Sequence, residues 1–245
     1  MTAGGIGESQ RKAARVAGLA CLISFFTVVA VNFGVFARLV IGDHPAESAR
    51  NILAHETLFR IGIAGDVIYC VGVVVLLTAL YVVLKPVSPH LALLAAFGRL
   101  VQVVTWLLAT LNLFSALRLL SDAGFARAFG PDQLPALARL YLSGSDAYYV
   151  GLLFWALAAA VGSYLWFQSN YIPKALAAFG LISSAWCGIC TIVFYVFPAF
   201  STVVNLWWFD SPMGLFEIAL SLWLLFKGLR PSAMTEPDRA QVGAA

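Results

Sequence analysis

The chain has 245 residues, 61% of them hydrophobic and 11% charged, with a formal net charge of +3. A soluble domain carries roughly 45 to 50% apolar and about 25% charged residues; this composition describes an integral membrane protein and leaves no room for a soluble domain of ordinary size. The excess positive charge is scattered rather than gathered into a stripe, which excludes nucleic acid as a partner.

The first apolar run, VAGLACLISFFTVVAVNFGVF, follows Arg11, Lys12 and Arg15. It is longer than the ~7 to 15 residues of a secretory core, and no small-x-small cleavage site follows, so it reads as a retained helix. The periodic apolar segments predict spans at 15–40, 56–84, 91–120, 139–167, 174–197 and 212–229. Pro86 and Pro173 mark helix junctions, and Ser211 followed by Pro212 reads as an N-cap and first helical residue. The segment STVVNLWWFD before the last span is too short for an ordinary crossing. It reads as an interfacial or re-entrant piece, an extension of a neighbouring helix, or a cramped seventh crossing. The expected fold class is all-α: a polytopic membrane helical bundle of six transmembrane helices, with room for a seventh, both termini cytoplasmic. Residues 1–230 are expected to form a single transmembrane domain and 231–245 a disordered cytoplasmic tail.

Orientation follows from lysine and arginine. A cytoplasmic N-terminus puts Arg11, Lys12, Arg15, Lys85, Lys174, Lys227, Arg230 and Arg239 inside, and Arg38, Arg50, Arg118, Arg127 and Arg139 outside. The two outer connections, GDHPAESARNILAH and SDAGFARAFGPDQLPALA, are each expected to form a small amphipathic helix.

In this order along the chain, RKAARVAGLACL, HETLFRIGIAGD, ALYVVLKPV, GRLVQ, YYVGLLFWAL, NYIPKALA and FEIALSLWLLFKG cover most of the sequence. The pattern resembles the bacterial integral membrane family catalogued as domain of unknown function forty-three eighty-six. The resemblance implies a multi-pass protein of the bacterial inner (cytoplasmic) membrane and supplies no activity. The family-like segments hold Glu56, Arg60, Asp66, Arg99, Gln102 and Glu217.

A charge at the centre of a bilayer costs about 2.5 to 3.5 kcal/mol on insertion scales, so intramembrane charges are expected to face the bundle interior and find partners. Glu56 and Arg60, at i and i+4, can pair with each other. Asp66 needs a partner from another helix, and Asn32, Asn112 and Tyr149 are the candidates. Measured from the cytoplasmic end of each span, rise per residue puts Asp66 at roughly 28 Å and Asn112 and Asp146 at about 33 Å, which predicts a polar layer in the outer half. Helical spacing sets Tyr69 and Cys70 beside Asp66; Arg99, Gln102, Trp106 and Thr110 on one stripe; and Ser184, Cys187, Thr191 and Tyr195 on another. Arg99 with Gln102 reads either as a clamp on a carboxylate or as an anion site. CGIC at Cys187 to Cys190 lies in mid-helix, where a CxxC pair packs rather than binds zinc or shuttles electrons. Trp207 and Trp208 read as an interfacial belt that could also roof an apolar cavity.

His44, His55 and His90 fall in loops or at span ends, and the chain contains no GxGxxG motif and no P-loop. No metal and no cofactor is therefore expected, leaving carboxylates, tyrosines and aromatic walls as the tools. Removal from water disfavours the charged form of a carboxyl, so a buried acid can donate a proton, and aromatic faces can stabilise a developing cation. The pattern fits an embedded enzyme acting on an apolar lipid or isoprenoid, similar in plan to membrane-bound terpenoid cyclases, whose compact bundles carry acids on two helices. Its candidate acids are Asp66 and Glu217, with Glu56 in reserve. Candidate substrate-binding residues are Asn32, Tyr69, Arg99, Gln102, Trp106, Asn112, Asp146, Tyr149, Thr191, Tyr195 and Trp223, and the partners are membrane lipids and the apolar ligand. The alternative is a non-catalytic protein that binds or transports a lipid or small solute.

Overall fold

Proline, glycine and side-chain caps punctuate this chain into eight helices among the described residues of the computed structural model, which are 6–42, 44–122, 124, 133–143 and 145–230, without the side chains of Ser145 and Asp146. They are α1 (Glu8–Leu39), α2 (Pro45–Ala54), α3 (Glu56–Leu84), α4 (Pro89–Ser121), α5 (Gln133–Leu142), α6 (Ser145–Ser169), α7 (Lys174–Val196) and α8 (Trp207–Phe226). Counting Gln133–Ser169 as one, six segments are long and apolar enough to cross a membrane. Ile61, Leu111, Ile182, Leu215 and Phe226 lie more than half exposed on them, which water would penalise and lipid does not. The protein is a multi-pass integral membrane protein that contacts lipid.

The helix ends follow their capping chemistry. Ser88 Oγ accepts the Leu91 amide, and Pro89 follows at the first helical position, where its missing N–H has no intrahelical partner to lose. Pro173 precedes α7. Asn170 ends α6 at φ 55° and Gly228 ends α8 at φ 67°, left-handed positions that favour these two residues. Within α1, Asn32–Phe36 widens to a π-helical turn.

The last span differs from the sequence expectation. Helix α8 begins at Trp207, where the Asn205 side chain accepts the Trp207 amide at 3.0 Å, so Pro212 stands inside the helix and Ser211 is not its cap. The WWFD segment is thus an extension of the last helix, and Pro198–Thr202 forms a short 3₁₀ turn before it. A proline at 212 leaves the Trp208 carbonyl without its usual i+4 donor. The Trp186 indole of α7 supplies the replacement, donating to that carbonyl at 2.7 Å.

Packing divides the chain into two compact units, one of Met1–Leu19, Leu76–Phe97 and Ala156–Ala245, the other of Ala20–Val75 and Gly98–Trp155. Helices α1, α3, α4 and α6 contribute to both. In the first unit Gly18 stands where a Cβ would press on the Ser221 carbonyl and Leu225, and Gly180 where it would meet Ser163 and Phe216. Such glycines let helix backbones approach closely. In the second unit α2 packs on α5 over a core that includes Leu39, Ile52, Phe59, Leu117 and Ala138. Ser48 anchors the start of α2 by accepting from the Ile41 amide at 2.8 Å. The residues 125–132 that would complete the second expected amphipathic connection, Arg127 among them, and the tail 231–245 with Arg239 lie outside the described residues.

Candidate functional site

Asp66 sits on α3 with Tyr69 one turn further along, and both are buried, at 4% and 7% exposure. Its hydrogen-bonding side chains come from α4: Trp106 and Thr110, four residues apart and hence on one face. Neither was among the partners expected from sequence, Asn32, Asn112 and Tyr149. Asn32 turns its amide back to the Val28 carbonyl of its own helix at 2.9 Å. Asn112 is two residues past Thr110, some 200° around α4 at about 100° per residue, so it leaves the Asp66 face to the threonine. Tyr149 packs its ring on Tyr148, 5.3 Å between centroids. Asp66 Oδ1 is left buried without a hydrogen-bond partner among the described residues.

One turn earlier on α4, Gln102 donates from Nε2 to the Tyr69 hydroxyl at 3.3 Å, while its Oε1 is buried and has no partner among the described residues. Tyr69 stacks on Trp106 at 4.8 Å, and Trp106 meets Tyr148 of α6 edge-on at 5.7 Å. The chain of aromatic contacts that starts at Tyr69, one turn from Asp66, therefore runs from α3 through α4 to α6. Close contact of α6 with α4 depends on Gly151, where a Cβ would run into Thr105. Arg99, the first residue of the α4 stripe, is buried and holds its guanidinium 4.6 Å above the Trp155 ring. Its cation is placed against an indole face of α6.

Of the sequence-derived candidates, the structure gathers Asp66, Tyr69, Gln102, Trp106 and Tyr149 into one cluster, and sets Arg99 on the same α4 stripe. Tyr148 and Trp155 were missed. Their signal was the 148, 151/152, 155 spacing on α6, which puts both on the face that Gly151 brings against α4. Thr110 was placed on the right stripe but not credited with a role. The Asp146 side chain lies outside the described residues.

Glu56 and Arg60 form the expected pair, 2.7 Å from Nη2 to Oε1, with side chains 39% and 55% exposed. Glu217, Thr191, Tyr195 and Trp223 all belong to the first unit. Glu217 is half-buried and its backbone carbonyl accepts from Ser221 at 2.6 Å. Thr191 is fully buried and donates to the Cys187 carbonyl at 2.8 Å, Tyr195 is exposed, and Trp223 lies beneath the Arg230 guanidinium at 4.7 Å. Cys187 and Cys190 are free, buried thiols within α7. Among the described residues no cluster of His, Cys, Asp or Glu could hold a metal ion. The same unit carries an open apolar groove of about 500 Å³, with Phe179, Ile182, Trp186, Val203, Trp208 and Pro212 in its lining. Of the two adjacent tryptophans, Trp208 lines it.

A family described as Domain of unknown function (DUF4386) has a model that matches residues 16–228. No curated protein and no solved structure matches the chain.

Proposed function

The chain belongs to the Domain of unknown function (DUF4386) family, and from that premise we propose that it is a membrane-embedded enzyme in which Asp66 performs acid–base chemistry on an apolar lipid or isoprenoid. The observation that carries this reading is a buried carboxyl with one unpartnered oxygen, one helical turn from Tyr69, whose ring stacks on Trp106 and through it meets Tyr148. Asp66 would give its proton to the substrate, the aromatic faces would stabilise the cation formed, and the carboxylate would take a proton back as product forms. The net reaction is an isomerisation or cyclisation, with no co-reactant.

Pairing of Glu56 Oε1 with Arg60 favours a structural role for Glu56, and Glu217 remains a second candidate acid to be tested separately. Asp146, Asn32, Asn112, Thr191, Tyr195 and Trp223 remain proposed substrate contacts. The lysine and arginine distribution supports both termini in the cytoplasm, and the family resemblance supports a bacterial inner membrane.

Asp66→Asn tests the chemistry, because the amide keeps shape and hydrogen-bonding capacity while removing the transferable proton. The purified variant is expected to remain monodisperse and to lose conversion of isoprenoid or lipid substrates, read by mass spectrometry of products. Full turnover in Asp66→Asn rules out Asp66 as the acid, and full turnover in Glu217→Gln does the same for Glu217. The alternative of a non-catalytic binder draws on Trp106, whose indole holds the carboxyl as a fixed acceptor; it predicts ligand retention in Asp66→Asn and no conversion by either protein.

A further inference from the structure

The cluster around Trp106 contains two buried polar atoms with no partner among the described residues, Asp66 Oδ1 and Gln102 Oε1. Their residues are 4% and 3% exposed, so bulk water does not serve them, and buried orphans of this kind are rare in native folds. Both flank the same indole: Asp66 through its hydrogen bond with Trp106, and Gln102 from one helical turn before it, through Tyr69, which stacks on that ring. From this arrangement we infer that the site binds the hydroxyl group of an apolar alcohol. The inference rests on the proposed lipid-directed function of the same site and narrows its ligand to a neutral, hydroxyl-terminated chain.

The chemistry of the orphans selects a hydroxyl over other head groups. With Asp66 ionised, or with its proton on the other oxygen, Oδ1 accepts and the ligand donates; with the proton on Oδ1, as in the acid step, the ligand accepts, and a hydroxyl can do either. An ammonium would donate, but Arg99 already provides a buried cation on the same α4 stripe, three residues before Gln102. An ether or ester cannot donate. The Gln102 amide adds the other half: turned so that its oxygen accepts from the Tyr69 hydroxyl, it offers its NH₂ to the ligand. A hydroxyl then accepts from Gln102 and donates to Asp66, which removes both orphans with one group. The faces of Tyr69, Trp106 and Tyr148 provide apolar contact for the carbon that bears it.

The test uses the full chain in lipid nanodiscs and a long-chain primary alcohol carrying a diazirine, with labelled peptides mapped by mass spectrometry. Labelling is expected in the segments that contain Tyr69 and Trp106. The unmodified alcohol should compete about tenfold better than its methyl ether, the discrimination expected when a buried acceptor loses its donor. Asp66→Leu and Gln102→Leu should each weaken labelling by about tenfold, and Asp66→Asn, which keeps an accepting oxygen, should retain it. Thermal melts of each variant identify any that fail to fold, and the alcohol-to-ether ratio on the unmutated chain decides without them. Equal competition by alcohol and ether would mean that water fills the orphans and would overturn the inference; so would stronger competition by the matching primary amine. Turnover is read separately. Alcohol-specific labelling with turnover retained in Asp66→Asn leaves this inference standing while the acid mechanism fails, and loss of turnover without alcohol specificity does the reverse.

Discussion

Trp186 is expected to repair a hydrogen bond that Pro212 breaks, and the repair can be measured. Helix α8 runs through Pro212, so the Trp208 carbonyl has no backbone donor four residues on; the Trp186 indole donates to it at 2.7 Å. Trp186→Phe deletes that donor and keeps an aromatic ring. The net worth of such a bond is about 1 kcal/mol, with about 1 to 3 kcal/mol at stake if the carbonyl is left bare. Trp186 and Trp208 are 43% and 63% exposed, at the start of a span where water and head groups compete, so the lower figure applies. The change of ring also alters packing, and a double-mutant cycle with Pro212→Ala removes that term. Alanine restores the 212 N–H to the Trp208 carbonyl, so Trp186→Phe should be milder there. The expected coupling is about 1 kcal/mol, roughly a fivefold change in the unfolding equilibrium. Unfolding in mixed micelles by graded denaturing detergent provides the assay. Coupling below about 0.3 kcal/mol, the scatter of independent sites, would refute the repair.

Gly180→Ala should destabilise by about 1 to 3 kcal/mol in the same assay, since its Cβ would come within 2.7 Å of the Phe216 ring and also meet Ser163. Gly188→Ala is the control: among the described residues its Cβ meets only Ala156, at an ordinary 3.6 Å, and little change is expected. Glu56→Gln should change stability by less than about 1 kcal/mol, and less still at high salt, because the Glu56–Arg60 pair is exposed; a larger loss would mean that Glu56 does more than pair. Single cysteines at Ser88 and Ser121, at opposite ends of α4, should react with a membrane-impermeant thiol reagent from opposite sides, while the four native thiols stay buried; labelling of both from one side contradicts the topology.

Hydrophobicity is a local property, so the number, order and approximate limits of the six spans could be read directly from the chain, as could the family and the i, i+4 pairing of Glu56 with Arg60. Periodicity also grouped Arg99, Gln102, Trp106 and Thr110 on one stripe, since that grouping depends only on 3.6 residues per turn. Which helix faces which stripe is set by packing between segments distant in sequence, and there Asp66 meets Trp106 and Thr110, which sequence reasoning had not named as its partners. Axial height alone favoured Asn32 and Asn112, but rotation about the helix axis gave the position to Trp106 and Thr110. Tyr148 and Trp155 entered through Gly151, whose missing side chain lets α6 lie against α4. Pro212 was read as a helix start because proline usually costs an interior hydrogen bond. Only the tertiary fold could supply the Trp186 indole that lets the helix begin five residues earlier, since that donor lies 22 residues away in sequence.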